Sequence, residues 1–186
     1  RGVIGVDVST DSLFLVVLSA LEDNVSSVYS QQISIWELAS NTETPVLTEV
    51  VPAGTCQTVV RFHPLDARIL ITNGPSQVFF WSWENDFSCY TPHFSRRDFR
   101  QAIGQLTVSV FLPGTTQAIT GTSDGAVILW DRPTGISASS SEDSRVLSAE
   151  RVAVKIMRLC HHAINHLSTV SCYLVVAGND GAVRLY

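Results

Sequence analysis

One β-hairpin motif occurs twice in the chain and limits what it can fold into. Residues 118–131 read AITGTSDGAVILWD, so a Ser-Asp-Gly turn separates two runs rich in β-branched residues. Asp-Gly between such runs is a strong hairpin signal, because glycine accepts the positive φ that tight turns require. The pattern predicts one strand at residues 117–122 and a second strand at residues 126–130.

The same motif returns at residues 173–186, which read YLVVAGNDGAVRLY, and looser copies lie at residues 69–81 and 13–37. The aromatic residues that end the four copies are Trp36, Trp81, Trp130 and Tyr186, and the turn residues of the two closest copies are Asp124, Gly125, Asp180 and Gly181. These aromatics are 45, 49 and 56 residues apart, which indicates a repeated structural unit.

A short alternating segment precedes three of the hairpins, at residues 5–11, 59–66 and 108–114. Alternation of apolar and polar residues is the period of a strand that buries one side. Each unit therefore holds at least three strands, and the remaining residues leave room for a fourth, outer strand. Four short strands in ~40–45 residues, ending near Trp-Asp, is the pattern of a WD-repeat propeller blade. An antiparallel sandwich would also give short strands, but not aromatics at this period.

The predicted fold is thus all-β, a WD-repeat β-propeller with about four blades of a larger ring. The predicted blades span residues 1–51, 52–100, 101–150 and 151–186, and the last of them is incomplete. Residues 133–150 are polar and low in complexity, which is typical of a loop insertion. Residues 152–159 are predicted to form an inner strand, that of the fourth unit. The rest of the ring is expected from residues outside this chain.

Composition excludes several classes of function. The 186 residues carry a net charge of −5 and no basic stripe, which gives nucleic-acid binding no support. No apolar run approaches the ~20 residues of a membrane helix, so no membrane partner is expected. The four cysteines, Cys56, Cys89, Cys160 and Cys172, include no Cys-x-x-Cys pair and favour a reducing compartment.

Two sets of residues raise the question of chemistry. His161, His162 and His166 suggest a metal site, but no carboxylate accompanies them and a loop or blade edge is the favoured interpretation. Ser123 and Asp124 resemble part of a catalytic triad, yet no nucleophile elbow is present and the turn needs Asp124. The sequence therefore predicts no catalytic residue, no metal site and no cofactor.

The remaining candidates are structural or are surfaces for contact. Trp36, Trp81, Trp130 and Tyr186 are interpreted as rings that fill the space between neighbouring blades, each burying ~150–250 Å². A cluster between the second and third units, Phe94, Arg96, Arg97, Phe99 and Arg100, is a candidate docking patch. The alternative is a solvated connecting strand and loop.

Along nearly its whole length the chain resembles WD-repeat proteins, with Trp130-Asp131 as the family dipeptide and Trp36-Glu37 as a variant of it. Two departures matter. No Gly-His dipeptide precedes any unit, and the other two units lack Trp-Asp altogether. The Trp–Ser/Thr–His–Asp hydrogen-bond network of the family is therefore expected to be incomplete.

A narrower resemblance follows from residues 62–81, which look like a unit shared by echinoderm microtubule-associated-protein-like proteins and ciliary WD-repeat proteins. Residues 99–111, 117–122 and 154–159 favour the second group, the cilia- and flagella-associated proteins of the calmodulin- and spoke-associated complex. That resemblance implies a non-catalytic scaffold in the axoneme of a cilium or flagellum, at the base of a radial spoke. Its implied partners are radial spoke and calmodulin- and spoke-associated complex subunits, and doublet microtubules.

Two other functions remain open at this stage. A direct microtubule binder of the echinoderm type would favour a basic face for acidic tubulin tails, and the net charge of −5 argues against it. A propeller enzyme would need reactive groups clustered at the central channel. The predicted inner strands offer only Asp7, Arg61 and His63 for such a cluster.

Overall fold

The computed structural model describes residues 2–22, 29–40, 43–84, 86–92, 103–133 and 150–186. Within these ranges the chain forms fifteen strands, arranged as four separate antiparallel sheets. No helix of the described ranges is long and apolar enough to cross a membrane.

The strands follow one another along the chain in the order of the sheets. The first sheet comprises β1 (Gly2–Val8), β2 (Phe14–Glu22), β3 (Tyr29–Glu37) and β4 (Leu47–Val50), and the second comprises β5 (Val59–His63), β6 (Asp66–Asn73), β7 (Val78–Trp83) and β8 (Phe87–Tyr90). The third sheet comprises β9 (Leu106–Phe111), β10 (Ala118–Thr122), β11 (Ala126–Asp131) and β12 (Val152–Arg158), and the fourth comprises β13 (Ile164–Val170), β14 (Tyr173–Gly178) and β15 (Val183–Leu185).

Every sheet is a simple meander in which each strand pairs with the next one in the chain. The first strands of successive sheets also contact one another, β1 with β5, β5 with β9 and β9 with β13. These four strands therefore lie side by side at the inside, and the other strands of each sheet extend outward from them. This is a propeller arrangement of four blades, and the prediction of an all-β propeller is confirmed.

The core consists of three apolar layers, each between two neighbouring sheets. In the first layer, Val16 and Ile33 of the first sheet pack against Leu70 and Trp81 of the second. The second layer joins Ile71 and Phe80 of the second sheet to Phe111, Ile128 and Trp130 of the third, and the third layer joins Val108, Ile119 and Val127 to Ile164, Leu167 and Val176. Because burying one such side chain contributes ~1.5–3 kcal/mol, these layers fix how neighbouring blades sit.

The predicted role of residues 152–159 is wrong. These residues do not open the fourth unit, because β12 pairs with β11 and forms the outermost strand of the third sheet. The inner strand of the fourth sheet is β13. Two antiparallel strands can be joined by a short or a long connection. The polar insertion therefore separates β11 from β12 along the chain, but the two strands still pair in one sheet.

Two tight turns carry the Asp-Gly dipeptides. Gly125 between β10 and β11 has φ 83°, and Gly181 between β14 and β15 has φ 76°. Thr122 secures the first turn, since its Oγ1 accepts from the Ala126 N–H at 3.0 Å and lies 2.8 Å from the Ala126 carbonyl oxygen. Asp180 Oδ1 accepts from the Ala182 N–H at 3.1 Å in the second turn.

Candidate functional site

The four aromatics that end the repeats occupy equivalent positions in their sheets. Trp36 lies opposite Leu15, Trp81 opposite Leu70, and Trp130 opposite Ala118, and Tyr186 exchanges two backbone hydrogen bonds with Leu174. Each ring thus belongs to the third strand of its sheet or follows directly after it. The register is the same although the spacing in the sequence varies.

The surroundings of these rings differ. Trp81 and Trp130 are buried in the inter-sheet layers, whereas Trp36 is half-buried and Tyr186 is exposed. The indole Nε1 of Trp81 donates to Thr72 Oγ1 at 3.0 Å, and that of Trp130 donates to Thr120 Oγ1 at 2.8 Å. Two rings are therefore held by both packing and a buried hydrogen bond.

The register explains why Trp36 lacks this arrangement. In the second and third sheets, the threonine that accepts the indole hydrogen bond lies two positions after the residue opposite the tryptophan. The residue at this position in the first sheet is Val17. Valine has no hydroxyl group. The third sheet extends the network further, since Thr120 Oγ1 lies 2.7 Å from Ser109 Oγ, and this buried chain contains no histidine.

Three polar residues of the inner strands join neighbouring sheets. Asp7 Oδ2 on β1 accepts from the Phe62 N–H on β5 at 2.8 Å, and its Oδ1 lies 4.0 Å from Arg61 Nη1. His63 lies at the end of β5 and contacts Phe111 of the third sheet, with 4.8 Å between ring centroids. Asp7 and Arg61 thus bridge the first and second sheets, and His63 bridges the second and third.

The residues considered for chemistry have separate environments. His161 and His162 precede β13 while His166 lies on it, and all three are exposed. Within the described ranges no three potential metal ligands gather at one point. Ser123 Oγ accepts from the Gln105 N–H at 2.9 Å, and Asp124 Oδ1 accepts from Thr122 Oγ1 at 2.5 Å. Both side chains therefore act as turn and loop caps.

The predicted docking patch lies outside the described residues, because residues 93–102 include Phe94, Arg96, Arg97, Phe99 and Arg100. Its role as a contact surface stays a prediction.

A cleft opens between the second and third sheets at the end where the β5–β6 and β9–β10 turns lie. Its volume is about 600 Å³, and its walls include Leu65, Ile69, residues 114–117, Arg132 and Arg151. We call it the arginine cleft. Sequence reasoning did not single it out, since Arg132 and Arg151 stand at the two ends of the polar insertion and only the pairing of β11 with β12 brings them together.

Arg151 is the fixed cation of the arginine cleft. Arg151 is 1 % exposed. Its Nε donates to the Thr116 carbonyl at 2.9 Å, and its Nη1 donates to the Glu150 carbonyl at 2.8 Å. Its guanidinium carbon also lies 5.7 Å from the Phe80 ring centroid. Burial, and then the neighbouring Arg132 cation, lower the pKa of Arg151 to about 10, so the group stays charged at neutral pH.

His63 is the titratable wall of the arginine cleft. Its Nδ1 accepts from the Leu65 N–H at 3.2 Å, which requires an unprotonated nitrogen. Burial lowers the pKa of His63, a hydrogen bond with the Thr115 backbone opposes that shift, and the Arg151 cation adds to it. At neutral pH the ring is therefore neutral.

This environment predicts how stability changes with pH. The unfolded chain binds a proton at His63 more readily than the folded chain, so the free energy of unfolding should fall as pH drops below 6.5, the ordinary pKa of histidine. The stabilisation is complete above that pH and is lost toward the lowered folded pKa. The charged groups that act on the His63 imidazole are Arg151, Asp66 and Arg132.

Urea unfolding at about pH 7.5 and about pH 5.5 measures this loss, because histidine is the side chain that titrates between these values. His63→Gln should be less stable at the higher pH and show a smaller decline toward the lower one. His166→Gln, which replaces an exposed histidine, is the matched control and should keep the parent decline. Equal declines in the parent and His63→Gln would contradict the assignment.

Comparison with known proteins gives one family for the whole chain. The family model described as the CFAP251 N-terminal domain matches residues 1–186. Cilia- and flagella-associated protein 251 of Chlamydomonas reinhardtii is 36% identical over 201 residues, covering 100% of this chain and 24% of that protein. The protein of the same name from Tetrahymena thermophila is 29% identical, with 100% and 19% covered. The chain thus spans about a quarter or less of the length of these relatives.

A more distant relative and two solved structures complete the comparison. Human echinoderm microtubule-associated protein-like 4 is 31% identical over 106 residues, covering 55% of this chain and 10% of that protein. The β-propeller domain of Myceliophteria thermophila Cps50 (Swd1) superimposes with a TM-score of 0.68 at 13% identity, covering 100% of this chain and 52% of that one. Chaetomium thermophilum Sqt1 gives 0.66 at 11% identity, with 99% and 43% covered. These structural matches bear on the fold alone.

Proposed function

We propose that this chain, which belongs to the CFAP251 N-terminal domain family, is part of a non-catalytic scaffold in the axoneme, at the base of a radial spoke. Its relatives are cilia- and flagella-associated proteins, and this similarity directly supports a propeller protein associated with cilia. Radial spoke subunits and subunits of the calmodulin- and spoke-associated complex are the proposed partners.

The observation that carries the proposal is the alignment of the complete chain with ciliary proteins from an alga, a ciliate and a mouse. The structure supports a role in holding other proteins. Three buried layers fix four sheets relative to one another, and the turns at both ends of the sheets remain accessible for contact. A rigid body of this kind presents surface side chains without reorganising on binding.

The chemistry of the described residues also supports a non-catalytic role. Asp7, Arg61 and His63, three polar residues of the inner strands, each join two sheets. Ser123 and Asp124 are engaged in turn hydrogen bonds. Residues used in this way hold the blades together, and a catalytic role would require them to face a common substrate.

The full-length protein, tagged and expressed from its own locus in motile ciliated cells, provides the test. We expect the tag to remain with the axoneme after detergent removes the ciliary membrane. We also expect it to repeat along the doublets with the period of one radial spoke. Signal confined to the cytosol or nucleus would overturn the ciliary assignment, and signal in the ciliary matrix alone would overturn the scaffold role.

A second candidate, direct binding to microtubules, is favoured by the similarity to the echinoderm microtubule-associated protein-like group over 106 residues. Co-sedimentation of the full-length protein with purified microtubules separates the two functions. A scaffold that reaches the axoneme through spoke subunits should remain in the supernatant. A direct binder should pellet, and raised salt should release it because tubulin tails are acidic.

A further inference from the structure

We infer that the arginine cleft is a docking site for an acidic peptide segment of a partner protein. A glutamate or aspartate carboxylate would pair with the exposed Arg132, with the buried Arg151 cation behind it, and an adjacent apolar side chain would lie against Leu65 and Ile69. The inference goes beyond the scaffold assignment, because it names a surface of this chain and the chemistry of what binds there. It requires no particular cellular location.

The shape of the arginine cleft suits a short peptide. One wall is the β5–β6 turn with Leu65, and the other is the loop of residues 112–117 between β9 and β10. A volume of about 600 Å³ is in the range of ligand sites and accommodates several side chains. Both walls are anchored to buried strands, so the site exists before a partner arrives.

The charge of the arginine cleft favours an anion. Arg151 is buried and held at two carbonyl oxygens, and Arg132 is exposed at the rim. Burial and then Arg132 lower the pKa of Arg151, which means that the two like charges disfavour each other. No carboxylate of the described residues lies within 4.0 Å of the Arg132 guanidinium. A carboxylate paired with Arg132 would offset the unfavourable interaction between the two cations.

The carboxylates already near the arginine cleft accept hydrogen bonds from other groups, although the Asp131 charge partly offsets that of Arg151. Asp131 accepts from Thr116 Oγ1 at 2.8 Å, from Gln117 Nε2 at 2.7 Å and from the Arg132 N–H at 2.7 Å. Asp66 Oδ1 accepts from the Arg68 N–H at 2.9 Å. Among the described residues, neither of these carboxylates forms an ion pair with the Arg132 side chain.

Two features favour a peptide carboxylate over a phosphate group. Leu65 is 73% exposed beside the cations, which suits a segment with an apolar residue next to the acidic one. The hydroxyl groups of Thr115 and Thr116 donate to Leu112 and Asp131, so they are not free to surround a tetrahedral anion. Asp66 in the wall would also repel a phosphate, with its charge of about −2, more than a single carboxylate.

Fluorescence anisotropy of a labelled Gly-Glu-Glu-Leu-Glu-Gly peptide with the full-length protein tests the inference. We expect saturable binding that weakens as salt is added. Arg132→Gln should raise Kd about ten-fold or more, since hydrogen bonds between charged groups are the stronger ones. Leu65→Ser should raise it less, and Arg132→Lys should retain part of the affinity.

Arg68→Gln is the matched control, because Arg68 is an exposed arginine on β6 of the second sheet and already pairs with Glu84 at 3.1 Å. It should leave Kd unchanged. Equal weakening by Arg68→Gln and Arg132→Gln would overturn the site, as would equal binding of a Gly-Gln-Gln-Leu-Gln-Gly peptide. Tighter binding of the same peptide with phosphoserine in place of its central glutamate would overturn the choice of a carboxylate. Absence of binding would overturn the inference while leaving the ciliary localisation untouched.

Discussion

Replacement of Trp130 with alanine is expected to lower the free energy of unfolding by about 3–5 kcal/mol. The ring is fully buried in the layer between the second and third sheets, where it meets the Phe80 ring edge-on at 6.0 Å between centroids. Its removal leaves a cavity between two sheets and deprives Thr120 of the indole donor. Because both sheets are held by strands on either side, neither can collapse fully into the space.

Urea unfolding followed by far-ultraviolet circular dichroism measures this effect. Trp130→Phe keeps most of the apolar volume and should cost less than the alanine change. Thr120→Val leaves the indole N–H buried without its acceptor and should cost about 1–3 kcal/mol. Leu65→Ala, at an exposed position, is the control and should stay within about 0.5 kcal/mol of the parent. A loss below about 1 kcal/mol for Trp130→Ala would show that the ring does not hold the two sheets together.

Local patterns in the sequence were sufficient to predict the repeat and its fold. Alternating apolar residues specify strands with one buried face, and a recurring aromatic marks the same register position in each unit. The sheets place Trp36, Trp81 and Trp130 on equivalent third strands although the spacing between units varies. The pairing register within each sheet, rather than the length of the connections between units, determines those positions.

The order of pairing was not predictable from the same patterns. An outer strand and an inner strand can be equally apolar, so residues 152–158 carried no signal for the sheet to which they belong. The true inner strand of the fourth sheet, Ile164–Val170, includes Asn165, His166, Ser168 and Thr169, which weaken its apolar pattern. Only the long-range pairing of β12 with β11 distinguishes the two possibilities.

The candidate site shows the same limit more strongly. The candidate docking patch predicted from the sequence is a local cluster and lies outside the described residues. Arg132 and Arg151 are nineteen positions apart in the chain, and the pairing of β11 with β12 brings them to one cleft. Burial also could not be inferred residue by residue. Trp36 and Trp130 have the same motif position, but Val17 replaces the threonine that binds the indole in the third sheet.

Replacement of Gly125 with alanine is expected to destabilise the protein by about 3 kcal/mol or more, for two separate reasons. The residue has φ 83°, a conformation that costs about 1–2 kcal/mol for a residue with a Cβ atom. A Cβ atom would also overlap the Cys160 carbonyl oxygen and lie 2.8 Å from the His162 carbonyl oxygen. The chain after β12 crosses over this turn, with Leu159 and Cys160 both donating to the Gly125 carbonyl, so it cannot withdraw without losing those bonds.

Gly181 separates the two effects, because it occupies the same Asp-Gly-Ala-Val context with φ 76°, and a Cβ atom added there would meet no other atom within 4 Å. Gly181→Ala should therefore cost only the backbone term, about 1–2 kcal/mol. Urea midpoints of the two variants, compared with the parent, give the difference. If the segment that crosses the turn resists the added Cβ atom, the free energy of unfolding of Gly125→Ala should be at least about 1 kcal/mol lower than that of Gly181→Ala, because the steric overlap occurs only at Gly125. Equal losses would mean that the segment yields readily, and that the third and fourth sheets are not held together by their connection over this turn.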